Sequence, residues 1–253
     1  MMRAMITHTA LFFTIAAAEI QPAAAKPEAG AYGACMALAR KAPDAAIDRA
    51  ETLWEQGAGN MARHCLAIAL LAKGRGREAG KVLFDLAGES AKAGPAQQAE
   101  LFAQAGRAWI GAGRLDQAET ALGRALDLAP KNTTFRLDRA VARGNVGRNF
   151  EALEDLNELL QIEPKNIEAR VLRAAAWRRV GAGALAETDV AEALRLAPRH
   201  AGAWIERAKL DEAAGNTARA TAAYQKALKL DPAGPVGNSA RAALARLAQG
   251  RGR

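Results

Sequence analysis

The chain has 253 residues, half of them hydrophobic, 25% charged and only 5% aromatic. Alanine, leucine, arginine and glutamate dominate, the composition of a helical chain. The net charge of +8 is spread along the whole length and interleaved with acids, and the Gly250–Arg253 tail is too short for an RNA-binding low-complexity segment, so the charge reads as a solvated arginine-rich surface and no nucleic-acid partner is expected.

The N-terminus has the features of an export signal. Arg3 is the only charge in Met1–Thr9, Ala10–Ala18 is a short apolar run, and two small-x-small sites follow, one ending at Ala18 and one at Ala25. The expectation is a signal peptide over 1–25, cut after Ala25 or Ala18. The run is too short to span a bilayer and Glu19 interrupts its continuation, so no stable membrane insertion follows cleavage. The chain carries two cysteines, Cys35 and Cys65, both after these sites. An even count in an exported chain favours a disulfide, which would close a loop of about 30 residues and stabilise by ~3–4 kcal/mol. The other reading is two small buried thiols between alanine-rich helices.

Residues 26–95 read as degenerate helical repeats. A helix is expected over 31–41, with Tyr32, Cys35, Met36 and Leu38 on its apolar side. A second runs over 44–55 behind Pro43, with Ile47, Ala50, Leu53 and Trp54 on one face, and Gly57 and Gly59 end it. Asn60 precedes a third over 61–73, Gly74 and Gly76 make a turn, and a fourth covers 77–87.

A regular frame then begins at Ala99. The phrases Ala125–Pro130, Leu159–Pro164, Ala193–Pro198 and Ala227–Pro232 share one pattern, and their prolines are 34 residues apart. A fixed period of this size means a solenoid of stacked units. The units are 99–132, 133–166, 167–200 and 201–234. Each divides at a glycine (Gly113, Gly147, Gly181, Gly215), carries an early small residue in its second half (Ala118, Ala152, Ala186, Ala220) and ends at proline. A last helix, 235–249, has polar Asn238, Arg241 and Arg246 opposite apolar Leu244 and Leu247, as a solenoid cap requires.

These residues resemble the tetratricopeptide repeat (TPR) family, whose units are 34-residue helix–turn–helix pairs. Phe102, Ala105, Gly106, Trp109, Gly113, Ala118, Leu122, Ala125 and Pro130 occupy the signature positions of the first regular unit. Trp204, Ala208, Gly215, Ala220, Tyr224, Ala227 and Pro232 do so in the last. Arg136, Arg143 and Arg170 stand where the family has large aromatics. The resemblance implies an all-α fold, a right-handed α-solenoid of TPR units with a C-terminal capping helix, and a non-enzymatic protein- or peptide-binding function without cofactor.

Catalytic and metal patterns are missing from the sequence. Histidine occurs at His8, His64 and His200, without His-x-x-x-His or Cys-x-x-Cys spacing, which argues against zinc. His64 beside Cys65 could suggest an activated thiol, but helical neighbours point in different directions and no third group orients them. The Gly74-x-Gly76 and Gly111-x-Gly113 pairs lack the context of a phosphate loop. Trp54, Trp109, Trp177 and Trp204 read as core packing.

By the resemblance, the first helix of each unit lines a concave groove, reached by the fifth and ninth residues. The fifth are Ala103, Leu137, Val171 and Ile205; the ninth are Arg107, Val141, Ala175 and Lys209. The expected floor is apolar, flanked by Asp138, Glu168 and Glu206, with Arg178 and Arg179 further along. The asparagines of the family's carboxylate clamp are missing, so an amphipathic helix or an extended apolar peptide is the expected occupant. Arg139, Arg173 and Arg207 recur at one position and are expected to pair with acids, for example Asp155 or Glu158 for Arg139. The leading expectation is a periplasmic binding scaffold. The alternatives are a cytoplasmic co-chaperone or regulator of the same fold, and a thiol-dependent enzyme using His64 and Cys65.

Overall fold

The computed structural model describes residues 29–90 and 94–250, so the expected signal segment lies outside the described residues. Among these there are thirteen α-helices and no strand: α1 (Ala29–Lys41), α2 (Pro43–Glu55), α3 (Gly59–Ala72), α4 (Gly76–Glu89), α5 (Pro95–Gly111), α6 (Leu115–Leu128), α7 (Thr133–Val146), α8 (Asn149–Ile162), α9 (Ile167–Arg179), α10 (Gly183–Leu196), α11 (Ala201–Ala213), α12 (Thr217–Leu230) and α13 (Pro235–Gly250). Successive helices pack antiparallel in pairs, and each pair packs on the next, giving an α-solenoid. None of the described helices is long and apolar enough to cross a membrane.

Local chemistry sets the frame. Gly113, Gly147, Gly181 and Gly215 all have positive φ, which glycine adopts without steric cost. The amide after each glycine donates to the carbonyl five residues earlier (Arg114 to Trp109, Arg148 to Arg143, Ala182 to Trp177, Asn216 to Asp211; 2.8–2.9 Å), closing the first helix and starting the second. The residue that caps the next unit's first helix lies two residues after the proline. There Asn132, Asn166 and His200 accept hydrogen bonds from the amides of Phe135, Ala169 and Ala203 at 3.0, 2.9 and 3.1 Å. Gly234 occupies the same position before α13 and has no side chain. Asp231 takes over the capping, accepting from Gly234, Val236 and Gly237 at 3.0–3.2 Å.

Small residues then let the helices approach. Ala118, Ala152, Ala186 and Ala220 are all buried, as are Ala125, Leu159, Ala193 and Ala227. Gly80 is the tightest link between the degenerate and regular units: a Cβ there would lie 2.4 Å from Trp109, whose indole donates to the Arg77 carbonyl at 3.2 Å. Trp109 is therefore core, and Trp177 and Trp204 are half-buried. Trp54 departs from expectation. It is 58% exposed, because α2 buries the stripe Ala46–Ala50–Leu53 and Trp54 sits one helical step beyond it.

The two middle units solve core packing differently from the outer two. At the fourth, seventh and twenty-third residues the first unit has Phe102, Ala105 and Ala121, and the second and third have Arg136/Arg139/Asp155 and Arg170/Arg173/Asp189. Asp155 is 2% exposed. It accepts from Arg139 at 3.0 and 2.6 Å and from Arg143 at 2.9 Å, with Arg136 at 3.6 Å. Asp189, also buried, accepts from Arg173 at 2.8 and 2.7 Å, with Arg170 at 3.5 Å. Burial works against the Arg139 charge, but its hydrogen bonds to Asp155 and the nearby carboxylates outweigh this and raise its pKa. Arg136 and Arg170 also donate at 2.6 Å to the carbonyls of Pro130 and Pro164. The Trp204 indole makes the same bond to Pro198 at 2.9 Å, so the guanidinium reproduces the polar contact of the aromatic it replaces. Arg207 pairs outward with Glu187 at 2.8 Å, since Ala223 stands where the middle units have aspartate.

Cys35 and Cys65 are joined, with Cα atoms 6.1 Å apart, linking α1 to α3. Their surroundings are mostly alanine, with Leu53 the one large buried aliphatic side chain in that cluster. The disulfide therefore compensates for a thin core.

Cys35→Ser/Cys65→Ser should cost about 3–4 kcal/mol locally. Hydrogen exchange should show lost protection over 29–58 with 99–234 unchanged, because units couple only to neighbours. Asp155→Ala leaves buried guanidiniums without their carboxylate and should cost about 3–5 kcal/mol in urea denaturation. The triple change Arg136→Phe/Arg139→Ala/Asp155→Ala, which copies the first unit, should cost less than Asp155→Ala alone.

Candidate functional site: the concave face

The first helices of successive units touch directly: α5 meets α7, α7 meets α9, α9 meets α11, and α11 meets α13. This closer spacing places them on the inner side of the curve, with α6, α8, α10 and α12 behind. The rows named from sequence divide by depth. Ala103, Val171 and Ile205 are buried in the seams between helices, and so is Ala175. Leu137, Val141, Arg107 and Lys209 are half-buried and reach the surface. The apolar residues thus largely form the seams of the inner face, and the accessible surface above them is mostly ion-paired.

Arg107 donates to Asp138 at 3.1 Å and to Glu100 at 2.6 Å, tying α5 to α7. Arg179 donates to the Gly144 carbonyl at 3.1 Å, tying α9 to α7. Glu206 is buried and accepts from Arg178 at 3.0 Å and Lys209 at 2.6 Å, tying α9 to α11. Glu168 stands at the edge, 3.3 Å from His200. Burial raises the Asp138 carboxyl above its ordinary range, against the pull of Arg107.

Both ends of the face hold groups that the repeat pattern did not reveal. At the N-terminal end, Tyr32 hydrogen-bonds His64 at 2.7 Å, His64 hydrogen-bonds Gln104 at 3.0 Å, and Gln104 donates to Glu100 at 3.4 Å. With the Arg107 bonds, a polar chain runs from α1 across α3 and α5 to α7. It lines a hollow of about 270 Å³ floored by Met61, Leu86 and Leu101. At the C-terminal end a cleft of about 800 Å³ lies between α11 and α13, with Arg178, Lys209, Glu212, Tyr224 and Arg246 at its wall. Arg246 donates to Glu212 at 2.5 and 3.0 Å, and Tyr224 donates to it at 2.9 Å. The Arg246 hydrogen bond holds the Glu212 carboxyl below its usual range. Burial, with Glu212 beside it, pushes the Tyr224 phenol up to about 12. The signal for these contacts is absent from any one unit, because Tyr32 and Arg246 come from helices outside the regular array.

The His64–Cys65 pair does not form a catalytic site here. Cys65 is in the disulfide, and His64 is directed away from it to Tyr32 and Gln104. No group of three or more metal-ligating side chains occurs among the described residues.

Residues 201–233, the fourth regular unit, match the family model of the tetratricopeptide repeat. The described helices form a TPR-like α-solenoid. Its fold is similar to a thermophilic TPR protein of Thermus thermophilus, TTC0263, with 19% identity and a TM-score of 0.60 over 76% of this chain and 100% of that one. MamA of Desulfovibrio magneticus is similar at 18% identity and a TM-score of 0.58, over 70% of this chain and 97% of that one. The APC/C hetero-tetramer Cut9–Hcn1 contains a chain with a TM-score of 0.59 at 12% identity, covering 85% of this chain and 42% of that one. No curated protein matches the sequence. The inner face of this solenoid is the surface on which one helix of every unit is displayed.

The Glu212 pairing has a pH signature. Its folded pKa is depressed, so its contribution is present above the unfolded value of about 4.3 and is lost as pH falls through the folded pKa. Hydrogen exchange of α13 should therefore accelerate between pH 5 and pH 3 (about those values) relative to α9. Glu212→Gln should remove that pH-dependent difference.

Proposed function

We propose that this TPR solenoid is a non-enzymatic, exported scaffold that holds an extended or amphipathic segment of a partner protein along its concave face. The observation that carries the reading is that face itself. Leu137 and Val141 reach its surface between the Arg107–Asp138 pair and the Arg178–Glu206–Lys209 cluster. A segment lying there meets apolar side chains at the centre and fixed charges on both sides, an arrangement suited to a peptide with alternating apolar and polar positions. The ion pairs are formed already, so binding requires little ordering of the protein side.

The periplasm is the compartment we propose. Support comes from Arg3, the apolar run Ala10–Ala18 and the small-residue sites before Glu19 and Lys26. A Cys35–Cys65 disulfide across a mostly alanine core also suits an oxidising compartment. Mass measurement of the mature protein should give an N-terminus at Glu19 or Lys26 and no free thiol. An unprocessed chain with two thiols would favour the cytoplasmic reading.

Binding is tested by crosslinking in cells followed by recovery of partners. Leu137→Glu and Lys209→Glu place or reverse a charge at the accessible surface and should reduce recovery about tenfold or more, with the helical circular dichroism unchanged. Val171 is buried in a seam, so a charge there reports on stability instead. Equal recovery with both surface variants would rule out the groove.

A further inference from the structure

A second surface lies at the N-terminal end, away from the groove. Trp54, at the last turn of α2, is 58% exposed. It stands at a hollow of about 270 Å³ lined by Ala50, Glu51, Glu55, Ala62, Arg63 and Leu66. The floor is apolar, formed by Ala50 and Ala62, both buried, and by Leu66. Helix α3 presents different faces to the two surfaces: Met61 and His64 line the concave hollow, while Ala62 and Leu66 line this one.

The charges around the indole are one-sided. Glu51 and Glu55 are exposed and make no ion pair or hydrogen bond with any of the described residues. The one cation of the lining, Arg63, is neutralised by Glu89 at 2.5 Å. In a chain of net charge +8, the hollow is therefore locally acidic. An accessible tryptophan face beside unpaired carboxylates and a short apolar floor attracts a cation that carries aliphatic carbon. The indole offers its negative π-face, the carboxylates offer charge, and the floor accepts the methylenes. An anion or a purely apolar side chain would leave Glu51 and Glu55 repelled or desolvated.

We propose that this hollow is a docking site for a basic polypeptide segment, with an arginine or lysine side chain of the partner laid over Trp54 between Glu51 and Glu55. The site is separate from the concave face and does not depend on peptide binding there. It makes the scaffold bivalent: one partner in the groove, and a basic one at the N-terminal end. Two sites on one rigid solenoid raise the effective concentration of each partner for the other.

The test uses the mature full chain and two synthetic octapeptides, one alternating arginine and glycine, the other alternating glutamate and glycine. Binding is followed by isothermal calorimetry, with tryptophan fluorescence as a second readout. Neither peptide offers the apolar positions the groove needs; the arginine–glycine peptide should bind and the glutamate–glycine peptide should not. Trp54→Ala and Glu51→Gln/Glu55→Gln should each weaken the basic peptide about tenfold. Raising salt should weaken wild type more than the Gln/Gln variant. These residues are exposed, so the helical circular dichroism should not change. Lys209→Glu, which acts on the groove, should leave this affinity as in wild type, so failure of one site is distinguishable from failure of the other. Equal binding of both peptides, no binding of the basic peptide, or undiminished binding to Trp54→Ala would overturn the proposal.

Discussion

Close approach between paired helices is the constraint on which the rest of the solenoid depends. It is met by alanine or leucine at two buried positions of every second helix, and by Gly80 beneath Trp109 where the degenerate units join the regular ones. At such spacing there is little room for side chains to rearrange, so whatever fills the remaining positions must fit the gap and satisfy its own chemistry. The turns and caps do not supply this packing. They hold the helices in register so that the small residues meet.

Within that constraint the chain uses two kinds of filling. The first unit uses an aromatic and alanines; the second and third use arginines converging on a buried aspartate. The exchange is coherent. Aspartate appears only where arginine occupies the fourth and seventh positions, and the arginine keeps the carbonyl contact that Trp204 makes through its indole. A carboxylate this deeply buried is tolerated because several guanidinium groups surround it. The cost is asymmetry of risk: losing one partner leaves a buried charge, whereas losing all of them can be neutral.

The repeat was legible because it is local. The proline spacing, the glycine turns and the small residues each follow from chemistry within one unit. The arginines at 136, 143 and 170 could be seen to depart from the family pattern, and pairing of Arg139 with Asp155 was an expectation that the structure meets. Trp54 departs from the core expectation for a related reason. Helical periodicity places it next to Leu53 but does not say how wide a stripe the neighbouring helices cover. In the groove, the family resemblance selected the inward-facing positions without giving their depth. Ala103, Val171 and Ile205 lie in seams, while Arg107 and Lys209 carry the surface.

By itself, the sequence determined the architecture, the period and the position of every turn in the regular array, and the resemblance these residues carry added which helices face inward. It could do so because a solenoid is quasi-one-dimensional, with each unit shaped by its own residues and its immediate neighbours. Tertiary structure decided what lies between units and at the ends. The chain Tyr32–His64–Gln104–Glu100–Arg107–Asp138, the cleft walled by Arg178, Lys209 and Arg246, and the exposed Trp54 hollow all join residues from different units. A period cannot encode such contacts, because they depend on how far the superhelix turns from one unit to the next.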